Sequence, residues 1–271
     1  MNPLSQKQKK FLYEQFAFGR FRWIAKPIYD LLMGSLLTWH RLEDVFAGSD
    51  QGDVSDLTAV IKTFERPYAV KRLVKSIKRR YPNLKIVVVD DSKVPLKIEG
   101  VTTIEMPFDS GISRGRNQAL QELDTPYFLL LDDDFVFSKR QRLTDYLQLM
   151  RNYDEVDILG GRYIDLPFYI QHNFQNTPLM HTSNEPKLPL GTLIDGHPVV
   201  DKVQNYFVGR TDTVKAVGWK PELKVMEHTE FFTRAKGQLT TVYHRDMRIL
   251  HAKTPFDYGY LQKRYRNPAA Q

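Results

Sequence analysis

The chain has no cysteine, so neither a disulfide framework nor a thiolate metal site is available, and a reducing compartment is the expectation. No run approaches the roughly 20 apolar residues that span a bilayer. The best candidate, Ile28 to Trp39, is short and interrupted by Asp30. It also starts too deep in the chain, with no clear small-residue cleavage site after it, for a secretory signal. A P-loop, a Gly-x-Gly-x-x-Gly turn after the first strand, zinc-type Cys/His spacing and a serine nucleophile elbow are all missing. Kinase, NAD-dehydrogenase and serine-hydrolase readings therefore lose their main support. Internal repeats and low-complexity tracts are absent too.

What is present is enough for a real core: 271 residues, 42% hydrophobic, sized for one large domain or one and a half small ones. The formal charge of +7 implies an anionic partner, whether nucleotide, nucleic acid or membrane surface. That charge is uneven. In residues 1–42, Lys7, Lys9, Lys10, Arg20, Arg22, Lys26 and Arg41 stand against Glu14 and Asp30, interleaved with aromatics and leucines. Such a segment either lies in an anionic membrane interface or packs as an amphipathic helical arm on the main domain or a partner subunit. The expected organisation is a basic aromatic arm over 1–45, a polar linker over 46–56, a main domain over 57–260 that divides near residue 160, and a basic tail over 261–271.

From Leu57 onward the pattern is regular. Leu57–Lys62 reads as a strand, and Pro67–Arg80 as a helix with Val70, Leu73, Val74 and Ile77 on one face. Strands follow at Leu84–Val89 and Val101–Glu105, a helix at Ser110–Leu123, a strand at Tyr127–Leu131, a helix at Arg140–Asn152, and a strand at Val156–Leu159 before Gly160-Gly161. This alternation predicts an α/β fold with a doubly wound, mostly parallel mixed sheet. Ligands of such sheets sit beyond the C-terminal strand ends. There the polar clusters fall: Thr63–Arg66, Asp90–Ser92 and Asp132–Asp134. Pro167–Leu190, rich in Pro, Asn, His and aromatics, has the composition of a long loop over a site.

The most informative stretch is Leu129–Phe135, an apolar run that ends in three adjacent carboxylates. They repel one another unless water, donors or a metal ion take up the charge. Two acids one residue apart at a strand end can offer oxygens to a hard divalent cation and to a ribose hydroxyl. The alternative is a solvated Asp-rich turn.

With Lys62-Thr63-Phe64-Glu65-Arg66, Val89-Asp90-Asp91-Ser92, Gly111 followed by Gly115-Arg116-Asn117, Asp132-Asp133-Asp134, Gly160-Gly161, Asn205-Tyr206-Phe207, His228-Thr229-Glu230-Phe231-Phe232 and His251-Ala252 in this order, the chain resembles the GT-A glycosyltransferases of the family-2 type. More narrowly, it is similar to the ganglioside-type β-1,4-N-acetylgalactosaminyltransferases. The resemblance implies the GT-A fold and an inverting, metal-dependent transfer from a UDP-sugar, N-acetylgalactosamine in the narrower branch, to a glycan or lipid-linked acceptor. It implies that Thr63, Glu65, Arg66, Asp90 and Asp91 hold uracil and ribose, and that Arg114, Arg116 and Asn117 near a helix start serve the anionic donor. Asp134 would bind Mn²⁺ or Mg²⁺, Asp132 the ribose or metal, and Asp133 the sugar. His251 would be a further metal ligand, one that favours Mn²⁺.

An inverting transfer needs a base for the acceptor hydroxyl. Many relatives carry Glu-Asp where this chain has Glu227-His228, so Glu230 is the first candidate and Glu227 the second. Tyr206, Trp219 and His228 are candidates for the acceptor wall; Phe207 reads rather as core. Animal relatives have a membrane anchor and a cysteine-bearing luminal domain. The expectation for this chain is therefore a cytoplasmic location, with peripheral contact at the inner face of the cell membrane through residues 1–42. A non-catalytic glycan-binding or scaffold subunit on the same fold is the alternative. Nucleic-acid binding rests on charge alone, and clustered aspartates would repel phosphate.

Overall fold

The computed structural model describes residues 22–50, 52–171, 178–181, 183–257 and 259–261. The first 21 residues of the expected arm, residues 172–177 and 182 of the expected loop, and all but the first residue of the expected tail lie outside them. Helix α1 (Arg22–Ala47) is followed by β1 (Leu57–Thr63), α2 (Pro67–Arg80), β2 (Lys85–Asp90), β3 (Thr102–Glu105) and α3 (Ile112–Gln121). Then come β4 (Tyr127–Asp132), β5 (Phe135–Val136), α4 (Leu143–Asn152), β6 (Ile158–Asp165) and β7 (Ile170–Gln171). A small hairpin of β8 (Leu193–Ile194) and β9 (His197–Pro198) precedes β10 (Phe207–Arg210), α5 (Thr211–Val217), α6 (Glu227–Ala235) and β11 (Thr241–His251).

The main sheet runs β3-β2-β1-β4-β10-β6-β11-β5, with β7 on β6. Its first four strands are parallel. Strand β10 is then antiparallel to both β4 and β6, and β11 is parallel to β6. From β1 the chain builds outward to β2 and β3, then returns to place β4 on the other side. The crevice beyond β1 and β4 is thus a topological switch point, where open α/β sheets bind ligands.

Alternation along each strand feeds two core layers. Leu57, Ala59 and Ile61 of β1 face one layer with Leu129 and Leu131 of β4, covered by Val70, Leu73 and Ile77 of α2 and Leu147 and Met150 of α4. Val60, Phe128 and Leu130 face the other, with Ala119 of α3, Val214 of α5 and Phe231 and Phe232 of α6. Helix α2 matches its expected bounds because its signals agree locally. Pro67 opens it, the apolar stripe faces the core, and Lys78, Arg79 and Arg80 complement the dipole at its last turn.

Gly160-Gly161 does not follow the sixth strand, as expected, but lies inside it. A Cβ on Gly160 would come 2.3 Å from Val203 Cγ2, and one on Gly161 2.0 Å from the Met247 carbonyl oxygen. The glycines are there because β6 is pressed between neighbours, not because the chain turns. The described part of the arm, α1, packs Met33 against Val136, Ile164, Leu166, Leu250 and Ala252, so one of its faces belongs to the body of the same chain.

Candidate active site

Five strand ends meet at one rim. Strands β1, β2 and β4 deliver Thr63, Asp90 and Asp132, while the paired ends of β6 and β11 deliver Asp165 opposite His251. A cavity of about 290 Å³ opens there, lined by the three consecutive aspartates and by Thr63, Arg66, Asp91, Glu227 and His251.

The aspartates have separate partners. Thr63 Oγ1 donates to Asp133 Oδ2 at 2.7 Å, and the Arg66 guanidinium spans Asp133 and Asp134, with Nη1 2.8 Å from Asp134 Oδ2. The other Asp134 oxygen is 3.2 Å from His251 Nε2. The imidazole is fixed from behind by Asp165, 2.7 Å from Nδ1, and lies against the Tyr163 and Phe135 rings. Asp165 in turn pairs with Lys253. Burial disfavours charge on His251, but Asp134 and Asp165 outweigh it and raise its pKa to about 9. Burial likewise opposes ionisation of Asp134, yet His251 and Arg66 hold it well below the usual carboxylate range. Burial dominates at Asp133, which is raised to about 6 despite Arg66. The result is one firmly charged carboxylate beside a cationic ring.

Across the cavity, Arg116 is 1% exposed and bridges two acids. Its Nη2 is 3.1 Å from Asp132 Oδ1 and its Nη1 3.2 Å from Glu227 Oε1, while Trp219 lies beneath the guanidinium at 5.4 Å. At the β2 end, Asp91 pairs with Lys62 and accepts the Gly111 backbone N–H at 2.8 Å, which ties the start of α3 to the site. Gly111 adopts φ 96°, a conformation that favours glycine. Arg66 also lies 4.1 Å from the Tyr260 ring, which helps wall the cavity.

A model of glycosyl transferase family 2 matches residues 58–218. The chain belongs to that family. The family-2 chain is 34% identical over 212 residues to β-1,4 N-acetylgalactosaminyltransferase 1 of Homo sapiens, covering 72% of itself and 39% of that protein. It is 33% identical over 194 residues to β-1,4 N-acetylgalactosaminyltransferase 2 of Mus musculus, covering 68% and 36%. It therefore spans less than half the length of these curated relatives. Among solved structures, S. aureus TarS 1–349 in complex with UDP-GlcNAc superposes with a TM-score of 0.55 at 16% identity, over 73% of this chain and 58% of that one. The GT-A fold implied by the sequence motifs is thus the one observed.

Not every expected site residue of this family-2 chain reaches the cavity. Glu230 turns away: Arg234 Nε and Nη2 hold its two oxygens at 2.6 and 3.0 Å, and Lys220 is 3.1 Å distant. Its pKa is lowered, because these cations outweigh the burial that would raise it. Three residues, a little under the roughly 3.6 of a helical turn, separate it from Glu227, so the spacing alone would let both face one side. The contacts instead draw Glu230 to Arg234 and Lys220 while Glu227 lines the cavity. Of the two candidate bases, Glu227 lines the cavity and Glu230 does not. Asp90 caps its own loop, accepting the backbone N–H groups of Ser92 at 2.9 Å and Leu96 at 2.8 Å. Glu65, at φ 55°, joins two loops: its N–H donates to Ser92 Oγ and its carboxylate accepts the Lys93 N–H. Arg114 reaches out to the Pro221 carbonyl, and Asn117 clamps the backbone of Trp219 through both of its amide atoms.

The expected acceptor wall is also displaced. Tyr206 is fully buried, and Trp219 is buried in a stack on Phe231 at 4.7 Å. His228 packs edge-on against Phe232, with Nδ1 2.6 Å from Asn205 Oδ1. Phe207 is core, as expected. Tyr163, Lys224 and Tyr260 line the cavity and Asp165 backs His251, although none was a candidate from sequence; Lys62, also in the lining, entered only as part of the Lys62–Arg66 motif. No local signal marks Asp165, because the strand it closes reads from sequence as ending at Leu159.

His228 gives the site an acid-labile support. Burial, with the Arg116 and Lys202 charges, lowers its pKa from 6.5 to about 3. Over that window the unfolded chain binds a proton that the folded chain does not. Stability therefore falls as pH falls, by at most about 1.4 kcal/mol per unit from this one group. Urea denaturation followed across this range is expected to show a shallower pH slope for His228→Gln than for the unaltered chain. Equal slopes would remove His228 as a cause.

Proposed function

We propose that the protein is an inverting glycosyltransferase that moves a sugar, N-acetylgalactosamine, from a UDP-sugar to a glycan or lipid-linked saccharide. The observation that carries this reading is the bridge made by Arg116. It holds Glu227 at a switch-point cavity through the same guanidinium that holds Asp132, the first residue of the aspartate cluster. In this reading the base stands beside the donor's aspartates, where an acceptor hydroxyl would meet the anomeric carbon. The donor's diphosphate belongs beside the aspartates, with Asp91 and Lys62 toward its nucleoside end. Glu227 takes the proton of the acceptor hydroxyl as that oxygen bonds to the anomeric carbon and the bond to the UDP oxygen breaks. Arg116 and Lys224 supply positive charge near the departing diphosphate.

Among the described residues no three His, Asp or Glu side chains form a ready-made metal cage. The residues would fit a cation shared with the donor once His251 gives up its Nε2 proton: Asp134 and His251 meet at the cavity, and a carboxylate oxygen beside a neutral imidazole nitrogen would suit Mn²⁺ or Mg²⁺. Bound there, the cation would offset charge on the diphosphate. The relatives' names support N-acetylgalactosamine as the sugar.

The test is a screen of the purified chain against UDP-, GDP- and CMP-sugars, with Mn²⁺ and with chelator, reading binding and nucleotide release in the presence of saccharide acceptors. Metal-dependent UDP release from UDP-N-acetylgalactosamine is the expected result. Preference for another UDP-sugar would overturn the choice of sugar, and donor binding without release would favour the non-catalytic alternative. No binding of any nucleotide sugar would overturn the reading as a whole.

A further inference from the structure

Helix α1 is apolar on two sides. Its inner side is covered by the body of the protein through Met33. The outer side carries Ile24, Ile28 and Leu31, then, past Ser35 on the same face, Trp39, Leu42 and Phe46, and all six are exposed. Leu31 is 71%, Trp39 60% and Phe46 89% exposed. Single exposed apolar side chains are ordinary, but two clusters of three aligned on one helix face, with Ser35 between them, are not. Beside it, a groove between α1 and α2 is lined by Arg41, Lys71, Arg72, Lys75 and Arg79. Asp44 is the one acid among its lining residues, and it is paired with Arg79 at 3.0 Å. Lys71, Lys75 and Arg41 are exposed.

We propose that the outer face of α1 and this basic groove together form a docking surface for an anionic lipid bilayer. The apolar stripe would enter the headgroup–acyl boundary while the groove takes the lipid phosphates. Two tryptophans on the helix, Trp23 and Trp39, have the amphipathic rings that settle at that boundary. Among the described residues no helix is long and apolar enough to cross a membrane. A helix with one side fastened to its own domain lies on a bilayer rather than through it. A second copy of the chain fits the surface less well, since two-fold pairing along the stripe would bring two basic grooves together. The helix is tied to the active site as well: Tyr29 Oη donates to the Lys253 carbonyl at 2.9 Å, two residues beyond His251. The docking surface does not depend on the donor assignment.

The test is flotation of the full chain with vesicles of equal parts phosphatidylglycerol and phosphatidylcholine, and with phosphatidylcholine alone. The chain should float with the anionic vesicles and not the neutral ones, and high salt should weaken it. Leu31→Glu with Trp39→Glu, and separately Lys71→Glu with Lys75→Glu, should each weaken binding about tenfold or more. All four positions are exposed, so melting temperatures should hold; should one pair unfold, the other decides. UDP binding by the variants should stay at the wild-type level, which separates a failure of docking from a failure of the donor reading. Absence of binding to the anionic vesicles, or undiminished binding by the folded variants, would overturn the proposal. So would a dimer in solution that Leu31→Glu with Trp39→Glu renders monomeric, because the stripe would then belong to a second copy.

Discussion

Glu227→Gln is expected to leave UDP binding intact while lowering turnover by about 10²–10⁴, the range for loss of a positioned general base. The side chain keeps its shape and an oxygen for Arg116, which holds Glu227 Oε1 at 3.2 Å, so the cavity wall is preserved. What is lost is the capacity to accept a proton. Glu230→Gln is the matched control. Its carboxylate faces Arg234 and Lys220 rather than the cavity, so the substitution should alter thermal stability and spare turnover. Steady-state kinetics with UDP titrations on both variants decide the assignment. Turnover lost in Glu230→Gln but kept in Glu227→Gln would restore the order expected from sequence.

Asp134→Asn is expected to abolish the metal-dependent part of UDP binding. Asp134 is the carboxylate held most firmly ionised, through His251 on one oxygen and Arg66 on the other. An amide keeps the volume but removes the anion that a divalent cation would need. Calorimetric titration of UDP should show tighter binding with Mn²⁺ than with chelator in the unaltered chain, and no difference in the variant. A stability loss should accompany it, because Arg66 and His251 each lose a buried counter-charge, and breaking such a pair costs about 3–5 kcal/mol where the remaining charge is stranded. Arg66 retains Asp133 and His251 retains Asp165, so the variant should still fold. A persistent Mn²⁺ effect in Asp134→Asn would place the cation elsewhere.

Much of the nucleotide half of the fold was legible because local and tertiary preferences agree there. In β1, β2 and β4 the apolar runs are long enough to be strands buried on both faces, and Pro67 and Tyr81-Pro82 bracket α2. The ends of those strands by themselves predict Thr63, Arg66, Asp91 and Asp132–Asp134 at one rim, where the cavity lies. Beyond Gly161 the signals fade. Strand β10 is only four residues long and is defined by its antiparallel partners, β4 and β6, not by its own pattern. Strand β11 changes register against β6 between Tyr243 and Arg248, which breaks the alternation that would have marked it.

The sequence by itself determined the α/β class, the succession of strands and helices through α4 apart from the two-residue β5, and the acidic rim, because periodicity and strand-end chemistry are written in neighbouring residues. Only the tertiary structure decided which carboxylates are available. Glu227 and Glu230 share a helix, and Asp90 and Asp91 share a turn, yet within each pair the contacts of one residue come from its own loop or from cations outside the cavity. The same holds for Tyr206 and Trp219, whose aromatic rings suit a sugar face as well as a core until their neighbours bury them. Residue type sets what a side chain can do; the packing of distant segments around it sets where that chemistry is delivered.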